Sequence, residues 1–287
     1  MGSEIALSII VSTIGRPDDL RRLIDSLVAQ DAPGTFELIV VDQSDDGNCL
    51  ALLADLDLPF PTRSTTSGRG VSLGRNVGAS LATGWLYAVP DDNCWYAPDT
   101  VSSVLRRMSP DRGPDALSGI QITDDGQPSM LRWPAERAPI TLRNVSQAAI
   151  SSTIFIKAAL FDRLHGFDET LGVGSAGPFQ AGEDTDILLR AMERGARVIY
   201  DPGVKVLQDD PRQEVTPGFK QKMLGYGMGE GRLFRIHHLP RTRLAYLLGR
   251  KGAAAAVRAS RGRSDLAAAD LAWARGLIAG YRSKVPY

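Results

Sequence analysis

Apolar residues along this chain fall into short unbroken runs, separated by polar stretches in which apolar residues recur at helical spacing. Leu7-Ser8-Ile9-Ile10-Val11, Phe36-Glu37-Leu38-Ile39-Val40-Val41 and Trp85-Leu86-Tyr87-Ala88-Val89 are too short for helices. Their near-continuous apolar character is that of strands covered on both faces. Between the first two runs, Leu20, Leu23, Ile24, Leu27 and Val28 mark one face of a helix. Pro17 stands where a helix favours proline, and Asp31-Ala32-Pro33-Gly34 ends it. Strand, helix and strand in this order predict a right-handed βαβ unit. The pattern continues with a short helix over 49–56, a third strand within 59–66, a helix over 73–82 and another over 98–108.

The second half is less regular. A strand is predicted over 116–122, a long Pro- and Arg-rich loop over 128–144, a strand over 150–156 and a helix over 157–164. A Gly-rich loop fills 172–182. A helix over 183–194 follows, ended by Gly195 as a glycine just past a helix end. A short strand, 197–200, is expected to stop at Asp201-Pro202-Gly203, and the chain beyond Pro217 reads as mostly helical. The expected organisation is a nucleotide-binding half, 1–110, then a half carrying the catalytic base and acceptor site, 111–215, then a helical basic extension, 216–287.

Composition narrows the class. With 43% hydrophobic and 23% charged residues, the 287-residue chain has the make-up of an ordinary globular protein. Met1-Gly2-Ser3-Glu4 lack the basic start of a signal peptide, and no apolar run approaches the ~20 residues of a membrane span. The expected location is therefore cytoplasmic. Cys49 and Cys94 form neither a disulfide framework nor a metal spacing and are expected as buried, reduced thiols. The formal net charge is zero, yet residues 231–264 hold nine Lys or Arg and no Asp or Glu. Such segregation calls for an anionic partner or a basic tail on an acidic body. An amphipathic helix on an anionic membrane and a helix packed on the catalytic domain are both open readings of it.

Candidate chemistry gathers at the ends of elements. Pro90-Asp91-Asp92-Asn93 follows the 85–89 strand, and ligands of open α/β sheets bind at the carboxyl ends of strands. Adjacent carboxylates repel unless a cation joins them, and Mg²⁺ prefers one or two carboxylates together with substrate phosphates. A solvated Asp-Asp-Asn turn is the plain alternative. Asp184, in the first turn of the 183–194 helix, suits a general base, although acidic residues also favour helix starts for electrostatic reasons alone. Arg75 and Asn76 follow Gly-rich sequence, where a phosphate is readily held; a surface arginine is the plain alternative. Gly172-Val173-Gly174-Ser175-Ala176-Gly177 spells a dinucleotide fingerprint but lacks the strand and helix that would make it one. A mobile loop beside a site is the better reading. His237-His238 reads as solvated.

The ordered set Ser8–Thr13, Leu38–Asp42, Gly74–Gly78, Pro90–Asn93 and Gly182–Asp184 resembles the family 2 glycosyltransferases, inverting enzymes of bacterial type. Gly225-Tyr226-Gly227-Met228-Gly229-Glu230-Gly231-Arg232 resembles a segment found after their catalytic domain. The resemblance implies an α/β fold of the GT-A kind, a Rossmann-like mixed sheet flanked by helices, with a C-terminal helical extension. It implies transfer of a sugar from a nucleotide-diphosphate donor to an acceptor hydroxyl, in cell-surface polysaccharide or glycolipid synthesis, with Mn²⁺ or Mg²⁺. By position, Thr13 and Asp42 line the nucleoside pocket, and Arg75 sits near the base or diphosphate. Asp91 contacts ribose or sugar, Asp92 the metal, Asp184 deprotonates the acceptor and Glu183 holds it. The acceptor is a sugar or a lipid-linked sugar, with peripheral membrane contact through 231–264 in the latter case, and no nucleic acid is expected.

Two positions depart from the family pattern. Gln43 stands where a second Asp is frequent, and residues 204–210 lack the usual His. The competing functions are a nucleotidyltransferase-like enzyme, for which Ser12-Thr13-Ile14-Gly15-Arg16 is a poor loop, and a non-catalytic sugar-nucleotide-binding protein.

Overall fold

Three apolar runs of the first half become adjacent parallel strands. The computed structural model describes residues 5–209 and 218–284. In it β1 (Leu7–Thr13) lies between β2 (Phe36–Asp42) and β4 (Leu86–Ala88), parallel to both, and β3 (Thr62–Thr66) extends the sheet beyond β2. Among the described residues the sheet has nine strands, eight of them in the order β3-β2-β1-β4-β8-β6-β9-β5. Here β5 is Cys94–Tyr96, β6 Ala116–Ile122, β8 Ile154–Lys157 and β9 Val198–Gln208. A two-residue β7 (Ala138–Pro139) pairs with β9 inside the segment expected to be all loop. The sheet is mixed: β8 runs antiparallel to β4 and β6, and β5 antiparallel to β9.

The helices of this part are α1 (Pro17–Val28), α2 (Asn48–Ala54), α3 (Val71–Ala79), α4 (Thr100–Arg107), α5 (Val145–Ala148) and α6 (Ala158–Arg163). Leu20, Leu23, Ile24 and Leu27 of α1 are buried in one core with Leu7, Ile9 and Val11 of β1 and Leu38 and Val40 of β2. A charged residue is buried on the opposite face of these strands. Glu37 of β2 accepts hydrogen bonds from Ser8 Oγ (2.7 Å), the Thr83 amide (2.6 Å) and Thr83 Oγ1 (2.7 Å). Burial alone raises its pKa, but these bonds more than offset that and hold it below the usual carboxylate range. The carboxylate thereby ties β1 and β2 to the turn that launches β4.

Strand β9 corrects one expectation. Asp201-Pro202-Gly203 does not end it; the strand continues to Gln208. Ser118 of β6 pairs with Tyr200, but Ile120 pairs with Lys205, so the three residues lie in a bulge. Proline is tolerated there because no ladder hydrogen bond is asked of it. The Asp201 carboxylate is held by Arg107 (2.9 Å) and Arg137 (3.3 Å). β5 was not legible because three residues give no period to count.

The chain divides into two compact units, Met1–Phe167 with Ile187–Pro211, and Asp168–Asp186 with Arg212–Tyr287. Helix α7 (Glu183–Glu193) gives its first turn to the second unit and the remainder to the first. The second unit otherwise holds α8 (Phe219–Ile236), α9 (Arg241–Ser260) and α10 (Ser264–Arg282). No helix among the described residues is long and apolar enough to cross a membrane.

The alternating glycines of α8 are packing positions. A Cβ on Gly227 or Gly231 would collide with the backbone of α10 at Trp273 and Leu277, and one on Gly276 or Gly280 of α10 with the backbone of α8. Two small-xxx-small pairs thus let these helices touch backbone to backbone. Gly225 and Gly229 lie on another face of α8, where added Cβ atoms would meet Gln180 and the Ala181 backbone. Residues two apart on a helix point to nearly opposite sides. The G-x-G-x-G-x-G spelling is what a helix needs when it is pressed between another helix and a loop.

Candidate active site

The two adjacent aspartates sit where β4 ends. A single bridge pairs Asp91 with Ser12 at the end of β1 and brings residues 91 and 92 beside Thr13. From there their environments diverge. The Asp92 residue is 5% exposed. Its Oδ2 accepts a hydrogen bond from Thr13 Oγ1 (2.8 Å) and its Oδ1 from Arg16 Nη1 (3.0 Å). Burial pushes its carboxyl above the ordinary carboxylate range, while Arg16 and Thr13 pull the other way. The Asp91 side chain is 41% exposed and accepts a hydrogen bond at Oδ1 from Arg75 Nη2 (2.7 Å).

Arg75 is not a surface residue. Its side chain is 1% exposed, in the second turn of α3, with the guanidinium over the Phe167 ring at 5.4 Å. The neighbouring Asn76 grips the Phe167 backbone from both sides, donating to its carbonyl (2.9 Å) and accepting from its amide (2.8 Å). Arg190, on the part of α7 in the same unit, donates to the carbonyls of Leu164 (2.7 Å) and Gly166 (2.9 Å). The wall behind Arg75 is therefore fixed by two side chains rather than by sheet pairing.

Asp42 ends β2 and is buried. Its Oδ1 accepts from the Ser44 amide (2.9 Å) and hydroxyl (2.6 Å), while its Oδ2 has no hydrogen-bond partner among the described residues. Gln43 donates to Ser67 Oγ (2.9 Å) and to the carbonyls of Gly68 (2.5 Å) and Gly70 (2.9 Å). The residue that replaces the family's second Asp thus closes the loop leading into α3. Thr13, Asp42, Arg75, Asp91 and Asp92 all belong to the first unit.

The base candidate belongs to the second unit. Glu183 is buried and Asp184 half-buried in the first turn of α7, where Asp184 Oδ1 accepts from the Thr185 amide (2.6 Å). The preceding Gly-rich segment is held rather than loose. Gln180 donates to the carbonyls of Ser175 (3.1 Å) and Gly177 (2.6 Å) and accepts from the Gly174 amide (2.9 Å). The fingerprint spelling there serves left-handed backbone at Gly172 (φ 99°) and Gly174 (φ 78°). His237 corrects the solvated reading: its side chain is 3% exposed and its Nε2 lies 2.8 Å from Oδ1 of the buried Asp186. Glu230 of α8 has its pKa raised above the ordinary carboxylate range. Burial raises its pKa and the Asp184 charge adds to this, while Arg243 and Arg250 oppose it.

Residues 8–163, more than half of the chain, match the family model Glycosyl transferase family 2. The chain belongs to glycosyl transferase family 2. Solved structures share its fold. S. aureus TarS 1-349 in complex with UDP-GlcNAc is 19% identical with a TM-score of 0.58, over 97% of this chain and 92% of that one. Mannosyltransferase PcManGT from Pyrobaculum calidifontis, in complex with GDP-Man and Mn²⁺, is 18% identical with a TM-score of 0.62, over 97% of this chain and 88% of that one. Against the longer S. aureus TarS chain the identity is 21% and the TM-score 0.58, and the match spans 79% of this chain but only 40% of that one. No curated protein matches. The mixed sheet flanked by helices, followed by the helical extension, is the GT-A glycosyltransferase fold expected from the sequence.

Asp91 and Asp92 are adjacent carboxylates of the type a divalent cation accepts as ligands. Among the described residues no cluster of three or more His, Cys, Asp or Glu is arranged to hold one. A cation that arrives with a diphosphate needs only one or two carboxylates from the protein. Asp92 Oδ1 already accepts from the half-exposed Arg16 guanidinium (52%), which an arriving cation would have to displace or share. Arg16 was missed in the sequence. It lies one residue before the α1 proline, and nothing in its neighbours signals a partner 76 residues away.

The glycines of α8 give a prediction for this family member. Gly229→Leu is expected to displace Ala181, and with it Gly182-Glu183-Asp184, and to lower kcat by about a hundredfold. Gly249→Leu on α9, where an added Cβ meets nothing within 4 Å, is the control and should keep its activity. Steady-state kinetics of both variants checks this.

Proposed function

We propose that this protein is an inverting glycosyltransferase that moves a sugar from a nucleoside-diphosphate donor to an acceptor hydroxyl. The observation that carries the reading is the unequal aspartate pair at the end of β4, Asp91 open beside Arg75 and Asp92 buried under Thr13 and Arg16. One relative is bound to UDP-GlcNAc and another to GDP-Man with Mn²⁺, which supports a nucleotide-sugar donor and a divalent cation here.

In this reading Asp92 would hold a Mn²⁺ or Mg²⁺ ion. When bound, it neutralises charge developing on the leaving group. Asp91 faces the ribose or sugar, and Thr13 orients Asp92 through its hydroxyl. Asp42, with an oxygen unmatched by protein donors, is set at the nucleoside. Asp184 removes the acceptor hydroxyl proton as the new bond forms, and Glu183 positions the acceptor. A single displacement leaves no covalent intermediate and inverts the anomeric centre. Gln43 is spent on its loop, so base selection falls to other groups, and uridine is not favoured over guanosine by this position.

The product belongs to cell-surface polysaccharide or glycolipid synthesis, and a lipid-linked acceptor would bring the protein to the inner face of the membrane. The basic helix α9 offers little for that directly. Lys251 and Arg258 turn to Asp270 of α10 (2.7 and 2.6 Å), and Arg243 and Arg250 lie in the field of Glu230. A thermal-shift panel of UDP-, GDP- and dTDP-sugars with Mn²⁺ tests the donor reading. One nucleotide class should raise Tm in a metal-dependent way; absence of any shift with all three rejects it.

A further inference from the structure

The cations of the extension divide into two groups. Those along the middle and end of α9 face carboxylates of α8 or α10, as described above. A second group converges where the end of α8, the start of α9 and the end of α10 enclose a cavity of about 720 Å³. Arg232, Arg235, His238, Arg241, Tyr281 and Lys284 line it, and among the described residues no carboxylate does. Arg235, Arg241 and Lys284 have no ion pair among the described residues. Arg232 lies buried at its wall with the guanidinium over the Phe179 ring at 5.4 Å. Arg241 Nε donates to Tyr281 Oη (3.0 Å), which fixes the arginine fork from behind.

The backbone adds to the same field. Arg241 is the first residue of a 20-residue helix, so the positive end of α9 stands at the cavity. Arg235, Arg241 and Lys284, which have no ion pair among the described residues, repel one another, and an anion carrying about two charges reduces that repulsion. Arginine forks match tetrahedral phosphate oxygens in two-point contacts. The volume exceeds that of a lone phosphate, and Phe234 and Leu239 supply apolar wall.

The geometry points to a binding site for a phosphate ester, formed by Arg235, Arg241 and Lys284 against the wall that holds Arg232, and sharing no residue with the proposed donor site. Its ligand is a phosphorylated small molecule or the headgroup of an anionic phospholipid. The inference does not depend on the proposed transfer reaction, because it rests only on residues of the second unit and is read by binding.

The test uses the full chain. Isothermal titration with inorganic phosphate, pyrophosphate and glycerol 3-phosphate covers the soluble source. Co-sedimentation with vesicles of phosphatidylcholine, with and without phosphatidylglycerol, covers the lipid source. The double variant Arg235→Glu/Lys284→Glu alters exposed residues, and Arg241→Ala is the milder second variant; circular dichroism melts confirm that both fold. Arg261→Glu, exposed and outside the cavity, removes the same kind of charge. Binding of a soluble ester, or of phosphatidylglycerol vesicles alone, weakened about tenfold or more in both cavity variants and not in Arg261→Glu, supports the site and names its source. No binding of any probe by the wild type, or equal weakening in Arg261→Glu, overturns it.

Discussion

Asp184→Asn is expected to lower kcat by a factor of about 10²–10⁴, the usual contribution of a positioned proton acceptor. The amide keeps the size of the side chain and still accepts from the Thr185 amide at Oδ1, so the first turn of α7 should survive. What is lost is the ability to take a proton. Donor binding should be unchanged, because every proposed donor residue belongs to the other unit. The charge environment suits a base. The start of α7 favours the carboxylate, and a helix N-terminus by itself would weaken it as a base. Glu230 of α8, electrostatically coupled to Asp184, works against that weakening when ionised. Steady-state kinetics with a saturating donor checks the prediction. An unchanged kcat would remove Asp184 from the mechanism and point to another residue.

Asp92→Ala is expected to cost about 10²–10³ in kcat/KM, with most of the loss in the metal-dependent part. The change removes the acceptor of both Thr13 Oγ1 and Arg16 Nη1, and leaves the Thr13 hydroxyl buried without that partner. A modest fall in Tm should therefore accompany the kinetic effect. Asp92→Asn separates the two consequences. Its single carbonyl oxygen can accept from Arg16 while its amide donates to the Thr13 hydroxyl, and it has no charge, so it should recover much of the Tm and not the activity. Melting curves and kinetics of the two variants, with and without Mn²⁺, read this out.

Much of the fold was legible because the strands are covered on both faces and announce themselves as apolar runs. β1, β2 and β6 follow their runs closely, and α1 shows its buried stripe plainly. What was missed depends on long-range pairing. β5 is three residues long, and the passage of β9 through Asp201-Pro202-Gly203 is intelligible only beside β6, against which the extra residues of β9 form the bulge. The same holds for the site. Asp91 and Asp92 were marked by their place after a strand, but their inequality comes from Arg75 and Arg16, which approach from α3 and from the loop before α1. Arg75 looked like a surface or phosphate-binding arginine because sequence spacing does not reveal that Phe167 covers it. His237 looked solvated for a similar reason: its partner, Asp186, is 51 residues away. The glycines of α8 were visible as a pattern but not as a purpose, since alternation at two residues has no meaning on an isolated helix.

The claim on which the rest depends is that the Asp91–Asp92 pair is where nucleotide and cation bind. Isothermal titration of wild type and Asp92→Ala with the nucleoside diphosphate selected by the donor panel, in Mn²⁺ and in EDTA, tests it most directly. Binding that is tightened at least tenfold by Mn²⁺ in wild type, with no such gain in Asp92→Ala, is the predicted result. Equal affinity in Mn²⁺ and EDTA, or an undiminished Mn²⁺ effect in the variant, would contradict it.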